Sequence, residues 1–280
     1  LPISGESKMR YIRILVVILF MASLGLCGAA KIRERAGEDP TKPVITNETG
    51  ELEISTSYEE SDLLEGLKAQ DEKEGDLTDQ IMVGNFSQFI EPGVCNLSYV
   101  VFDSSNQAAT LTRRVKFTDY QSPEFSLSSP LVFAESREDN AMDYIRAGDQ
   151  IDGDISSLVK LLDSSINYRT AGDYEVHVQV TNSLGDTVEA TLPVHIVEAS
   201  RISTEIHLIQ GIAYIKKGDE FRPEDYIDYI EDIDGNRLDT DTVSIASGVN
   251  TAEGGTYEVH YQTEGDAGRG ETWLTVIVRG

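Results

Sequence analysis

The sequence is short of cysteine and of positive charge. Two cysteines in 280 residues exclude a disulfide-dense scaffold and a cysteine-based zinc site. Lys and Arg number 23 against 49 Asp and Glu, a net charge of −26. Nucleic acid is thereby excluded as a partner, because neutralising phosphates needs clustered cations. After residue 30 there is no long apolar run and no long stretch with a 3.6-residue hydrophobic period. Gly/Ser-rich linkers are nearly absent, as are a Gly-x-Ser-x-Gly elbow and a phosphate loop. What is present in quantity is apolar material, 40% of the chain, enough for packed cores.

The charge is divided sharply along the chain. Up to Arg35 there are six basic and two acidic residues, a net +4, and the remainder carries a net −30. The change of sign brackets Ile14–Ala30, an uncharged stretch that would span about 25 Å as a helix, close to one bilayer core. Lys8, Arg10 and Arg13 set its N-terminus on the cytoplasmic side. The segment is read as a signal anchor. Cleavage after Gly28-Ala29-Ala30, which would release a secreted protein, is the alternative, and lipid attachment at Cys27 is a third reading. All three put the acidic bulk outside the cytoplasm. Residues 1–13 are then a short basic cytoplasmic segment and residues 31–41 a stem.

Beyond the stem the chain repeats itself every 80 residues or so. Gly66–Thr78, Tyr144–Ser156 and Tyr226–Leu238 align without gaps, each with glycine in tenth place (Gly75, Gly153, Gly235). A second block follows each, beginning at Pro92, Ala171 and Gly254. The second block alternates with period 2: Tyr174, Val176, Val178 and Val180 face one way, Asp173, Glu175, His177 and Gln179 the other. The glycine before it is expected to turn the chain into the strand. A last alternating strand ends each unit, and Pro193 within the middle one predicts an edge or bulge position. Short strands at regular spacing indicate small antiparallel β-sandwiches.

Gly172-x-Tyr174-x-Val176 is similar to the strand-F signature of immunoglobulin domains, with valine in place of cysteine. Each unit more specifically resembles the bacterial immunoglobulin-like repeats first named from an insecticidal crystal protein. The first copy carries the resemblance through Lys42-Pro-Val-Ile45, Glu74-Gly-Asp-Leu-Thr78 and Arg114-Val-Lys-Phe117, the second through Asp152-Gly-Asp-Ile-Ser156 and Gly172-Asp-Tyr-Glu-Val176. In the third, Asn236 and Arg237 replace the usual Asp-Leu pair, so its loop is expected to differ. The resemblance implies three tandem sandwiches, a tyrosine corner at Tyr174 and a bacterial surface location. It implies no single function, because such scaffolds host many.

The acidic turn is the candidate site. Its columns are Asp71, Asp149 and Glu231, then Glu74, Asp152 and Asp234, then Asp76, Asp154 and Asn236. Asp and Asn favour such turns for their own backbone bonds, and that structural reading comes first. Weak calcium binding by Asp149, Asp152, Asp154, Asp71, Glu74 and Asp76 is the alternative, since calcium takes clustered oxygen ligands. No other cofactor is expected. His177 and His260 occupy one outward position in two copies, His195 lies in a strand, and His207 stands alone; all four are read as surface histidines. Cys95 takes the core-facing position of Tyr174 and Tyr257, so a buried, inert thiol is expected, with a covalent dimer as the alternative. Trp273 and most tyrosines are assigned to cores, and the sequons at Asn47, Asn85 and Asn96 are discounted.

The expectation is therefore all-β: three tandem immunoglobulin-like antiparallel β-sandwiches (42–119, 120–199, 200–280) preceded by one transmembrane helix. The joints Tyr120–Pro123 and Glu198–Ser200 are short, which predicts a semi-rigid rod. Its partners are the membrane, through Ile14–Ala30, and an unidentified extracellular protein or glycan. The function is non-catalytic, in binding or adhesion or in spacing from the membrane of a bacterial cell. The alternative is an accessory carbohydrate-binding or toxin-type module of a secreted system.

Overall fold

The protein is seen in a computed structural model that describes residues 42–136, 139–198, 203–265 and 268–280, together with Ser23. Apart from Ser23, the expected anchor Ile14–Ala30 and the stem lie outside the described residues. Among the described residues no helix is long and apolar enough to cross a membrane.

Among the described residues, seven strands form in each repeat, as the alternating blocks and turn residues dictate. The first repeat holds β1 (Val44–Asn47), β2 (Leu52–Ile54), β3 (Leu67–Asp71), β4 (Gly75–Asp76), β5 (Met82–Phe86), β6 (Val94–Phe102) and β7 (Ala108–Phe117). The second holds β8 (Glu124–Leu127), β9 (Val132–Ala134), β10 (Ile145–Asp149), β11 (Gly153–Asp154), β12 (Lys160–Ser164), β13 (Gly172–Thr181) and β14 (Thr187–Val197). The third holds β15 (Thr204–Leu208), β16 (Ile212–Lys216), β17 (Ile227–Asp232), β18 (Arg237–Leu238), β19 (Ser244–Ser247), β20 (Gly255–Gly265) and β21 (Gly268–Arg279). The same two sheets recur three times. Three-stranded sheets run β1-β3-β4, β8-β10-β11 and β15-β17-β18; four-stranded sheets run β2-β7-β6-β5, β9-β14-β13-β12 and β16-β21-β20-β19. The all-β sandwich expectation holds.

The sheets are not wholly antiparallel. β9 runs parallel to β14, pairing Val132 with His195, and β16 runs parallel to β21, pairing Ile212 with Thr275. A parallel partner needs a long crossover, and here the intervening strands of the sandwich supply it. Pro193 is accordingly not on an edge strand. Pairing with β9 begins only at His195, whose amide bonds the Leu131 carbonyl at 2.9 Å, so the proline precedes the ladder in which its missing N–H would count.

The alternation predicted for β13 is realised: Val176, Val178 and Val180 are buried and join Leu192, Val194, Ile145 and Phe125 in the second core. Tyr174 donates to the Thr170 carbonyl at 2.9 Å and Tyr257 to that of Glu253 at 3.2 Å, the expected tyrosine corner in two copies. The preceding glycine turns the chain as expected in the first copy, where Gly93 has a φ of 72° and the Val94 amide bonds the Glu91 carbonyl at 2.8 Å. In the third copy a Cβ on Gly255 would stand 3.5 Å from the Tyr257 ring, an ordinary contact. Cys95 fills this position in the first copy as a buried free thiol, and burial pushes its pKa up to about 11.

The chain divides into two compact units. One comprises the described part of Leu1–Leu52 with Glu60–Asn85 and Leu97–Arg113; the other comprises Glu53–Glu59, Phe86–Asn96 and Arg114–Gly280. The second and third repeats both belong to the latter and are not merely strung end to end. Ile212 of the third is buried in the core of the second, with Tyr214 and Ile277 packed against it. The outward side of the C-terminal end of β14 and part of that of β21 are therefore covered rather than solvated.

Candidate functional site

Each acidic turn is a hairpin closed by its own side chains. The Asp71 carboxylate accepts from the amides of Lys73 and Glu74 at 2.8 and 2.9 Å, and Asp149 accepts from Ile151 and Asp152 at 2.9 and 3.0 Å. Gly75 and Gly153 follow with φ of 82° and 71°, a left-handed conformation that side chains resist. Asp76 takes the hydroxyl and amide of Thr78, and Asp154 those of Ser156; these bonds hold both carboxyls below the ordinary range. Glu74 and Asp152 reach across to the next hairpin, where each accepts from the amide and hydroxyl of a serine, Ser104 and Ser183. The six expected calcium ligands thus lie in two turns, each making hydrogen bonds to nearby backbone or serine and threonine groups.

The third turn departs by one residue. Asp232, not Glu231, accepts from the amides of Asp234 and Asn236, at 2.9 and 2.8 Å. The Asn236 side chain also bonds the Asp232 carboxylate and, with those amides, holds its pKa down. The shift corrects the alignment of Glu231 with Asp71 and Asp149 and leaves Glu231 free to face elsewhere.

Beneath the second turn, Asp149 accepts from the Asn182 amide at 3.1 Å, Asn182 donates to the Tyr120 hydroxyl at 2.9 Å, and Tyr120 donates to Asp186 at 2.7 Å. Burial, then the Asp186 carboxylate, raise the Tyr120 hydroxyl far above its ordinary value. In the first repeat Asp71 and Asp103 hold the places of Asp149 and Asn182. Asp103 accepts from the Gln107 amide at 2.7 Å as Asn182 accepts from Asp186 at 2.9 Å. The remaining oxygen of each, Asp71 Oδ2 and Asp103 Oδ2, is buried without a hydrogen-bond partner, and each residue is 5% exposed.

A second cluster joins the second repeat to the third. His195 is buried, with Nδ1 at 2.8 Å from Asp173 and Nε2 at 2.6 Å from Glu258. Trp273 stacks on it at 4.0 Å and on His260 at 4.1 Å, so the indole is sandwiched between two imidazoles. Trp273 is therefore a joint residue and not a core one, and His195 is not a surface histidine. Nearby, the Tyr214 hydroxyl bonds both the amide and the carbonyl of Phe125 at 2.9 Å, closing the free edge of β8, and burial pushes its pKa up to about 12. Arg279 lies 3.9 Å over the Tyr214 ring and reaches Glu124 at 2.6 Å.

The two stacked imidazoles are pushed in opposite directions. Burial works against a charge on His195, but Glu258 and then Asp173 outweigh it and raise its pKa; burial lowers that of His260, and Glu271 only partly offsets this. A pKa raised in the folded state makes a contribution fully present below the unfolded value of about 6.5 and lost as pH climbs through the folded one. His260 acts with the opposite sign, so the expected result concerns His195 alone. The parent's advantage over a His195→Gln variant should be larger at about pH 6 than at about pH 8.5, read from the emission of the sole tryptophan and the melting temperature. An identical pH dependence in parent and variant would refute the assignment.

The third cluster surrounds His207, which the sequence left isolated. β15 and β17 pair Glu205 with Glu231 and His207 with Tyr229, so all four share one face. Nε2 of His207 lies 3.2 Å from Glu231 and 3.5 Å from Glu205. The ring stacks on Tyr229 at 4.1 Å. Among the described residues this is the one group of three metal-ligating side chains whose ligand atoms all approach within 4.8 Å. Glu205 and His207 also line a cleft of about 400 Å³ whose other wall includes Ser128, Asp139 and Tyr144 of the second repeat.

Residues 213–278, which hold the sheet β16-β21-β20-β19 almost entirely, match the family of bacterial Ig-like domains (group 3). Over those residues the chain is similar to a bacterial Ig-like domain. Over 226 residues it is 27% identical to the pesticidal crystal protein Cry22Aa of Bacillus thuringiensis, covering 76% of this chain and 30% of that protein. The resemblance to repeats named from an insecticidal crystal protein is thereby upheld. Drosophila N-cadherin EC1-3 aligns over 83% of this chain and 98% of its own at 10% identity and a TM-score of 0.30. A Clostridium perfringens ZmpB structure, the M60 catalytic domain with CBM51-1 and CBM51-2, aligns over 86% and 31% at 14% identity and a TM-score of 0.23. Scores this low say nothing about function.

Within the third repeat, sequence reasoning missed Glu205 and gave Glu231 and Trp273 other roles, in the acidic turn and in a core. A signal for the first existed: Glu205-x-His207 places two ligands on one face of a strand. The partner across the sheet had no local signal, because it depended on the one-residue slip of the third turn.

Proposed function

We propose that the chain is a non-catalytic bacterial surface protein, held at the membrane through Ile14–Ala30 and presenting its immunoglobulin-like repeats outside the cell for binding or spacing. The observation that supports it most is the threefold recurrence of one seven-strand unit whose acidic side chains serve its own turns and joints. A net −30 beyond Arg35 suits a body repelled by anionic envelope polymers. The pesticidal crystal protein among its relatives favours a second reading, an accessory module of a secreted toxin system.

Cell fractionation separates the two. The full chain, tagged after Gly280 and expressed in a bacterial host, should sediment with membranes and lose its tag to protease added to intact cells. Release into the medium would favour the second reading. Retention in the cytosol would overturn both.

A further inference from the structure

We propose that Glu205, His207 and Glu231 form a binding site for one zinc ion on the face of the third repeat. An ordinary ion pair would point one carboxylate oxygen along the imidazole N–H. Here the buried Nε2 of His207 has no hydrogen-bond partner, although Glu231 and Glu205 oxygens stand 3.2 and 3.5 Å away. The two oxygens flank the nitrogen instead of lying on its axis. That is the arrangement of ligands around a shared ion: with metal–ligand bonds of about 2.0–2.1 Å, the edges of a tetrahedron are about 3.3–3.5 Å.

The donor set fits zinc better than a hard cation. An imidazole nitrogen with two carboxylates suits zinc, whereas calcium and magnesium take oxygens alone. Strand geometry delivers the three groups to one face, with Glu205 and His207 two residues apart on β15 and Glu231 directly opposite Glu205 on β17. The imidazole is held by its stack on Tyr229, whose ring also carries the Arg237 guanidinium at 3.1 Å. Two groups so close to one ring must take opposite faces, so the cation is kept on the far side of Tyr229 from the site. Glu205, whose side chain is 68% exposed, is the ligand that can swing in to complete the set. Glu205 and His207 line the cleft, from which water would supply the fourth ligand. The site is independent of where the protein resides, so its failure would leave the proposed function standing.

The test is a zinc chloride titration of the full 280-residue chain, in detergent and without a polyhistidine tag, against a chromogenic zinc chelator. One zinc per chain is expected, with an X-ray absorption first shell of one imidazole nitrogen and oxygens. Loss of a ligand should weaken binding by more than the roughly 10–100-fold that removal of an outer-shell partner costs. His207→Ala and Glu231→Gln should both do so, while His177→Gln, on the second repeat, should bind as the parent does. Glu231→Gln keeps its shape, so an unchanged melting curve in chelator separates a lost ligand from a lost fold. No stoichiometric zinc, parent-like binding by Glu231→Gln and His207→Ala, or sulfur in the first shell would overturn the site.

Discussion

Replacing Trp273 with alanine should destabilise the packed second and third repeats by about 2–3 kcal/mol, the largest loss expected from any residue outside a core. The indole is sandwiched between His195 and His260 at 4.0 and 4.1 Å, and its removal opens the joint on both faces. A buried large-to-alanine change costs roughly 3–5 kcal/mol, and the half-buried position of Trp273 sets the lower figure. His195 would stay tied to Asp173 and Glu258 but would lose the apolar cover that strengthens those bonds. Urea unfolding followed by far-UV circular dichroism measures the loss. Trp273→Phe should recover about half of it, because a smaller ring still stacks. A change below about 0.5 kcal/mol would mean that the two repeats do not pack through this stack in solution.

The strands, the acidic turn and the tyrosine corner were legible because each is written locally: alternation in 174–180, Asp and Gly at fixed offsets, Gly two residues before Tyr. The joint was not, because its residues sit on outward strand positions of two repeats. Yet a trace of it was present. Val194-His-Ile-Val197 and Leu274-Thr-Val-Ile-Val278 carry apolar residues on both parities, which means both faces are covered, as in any strand buried twice. Arg113 shows the same lesson in reverse. It shares its parity with the buried Val115 and Phe117, and it is itself buried, bonding the carbonyls of Gly50 and Glu65 and the Thr49 hydroxyl. The strand's parity turns this charge inward, and hydrogen bonds satisfy it there. The His207 site depended on a turn slipped by one residue, which no ungapped alignment of the repeats can register.

Replacing Asp103 with asparagine should stabilise the first repeat by about 1–3 kcal/mol, an uncommon sign for a buried substitution. In the second repeat the corresponding pair is Asp149 and Asn182, joined by an amide-to-carboxylate bond of 3.1 Å. The first repeat keeps the same backbone bonds around Asp71 and Asp103 but has a carboxylate on both sides, and Oδ2 of each is buried and unpartnered. Two such oxygens cost the desolvation of both and gain nothing from each other. An asparagine amide at 103 would supply the missing donor without a change of volume. Asp71→Asn should gain by the same logic, since its Oδ1 would still accept from Lys73 and Glu74. The double variant should not, because two amide nitrogens would then face each other and the gain must vanish. Thermal melting of the full chain at neutral pH, parent against Asp103→Asn, Asp71→Asn and the double variant, checks this. If Asp103→Asn lowers the melting temperature instead, the two oxygens meet a cation in solution, and the calcium reading of Asp71 and Glu74 gains the site it needs.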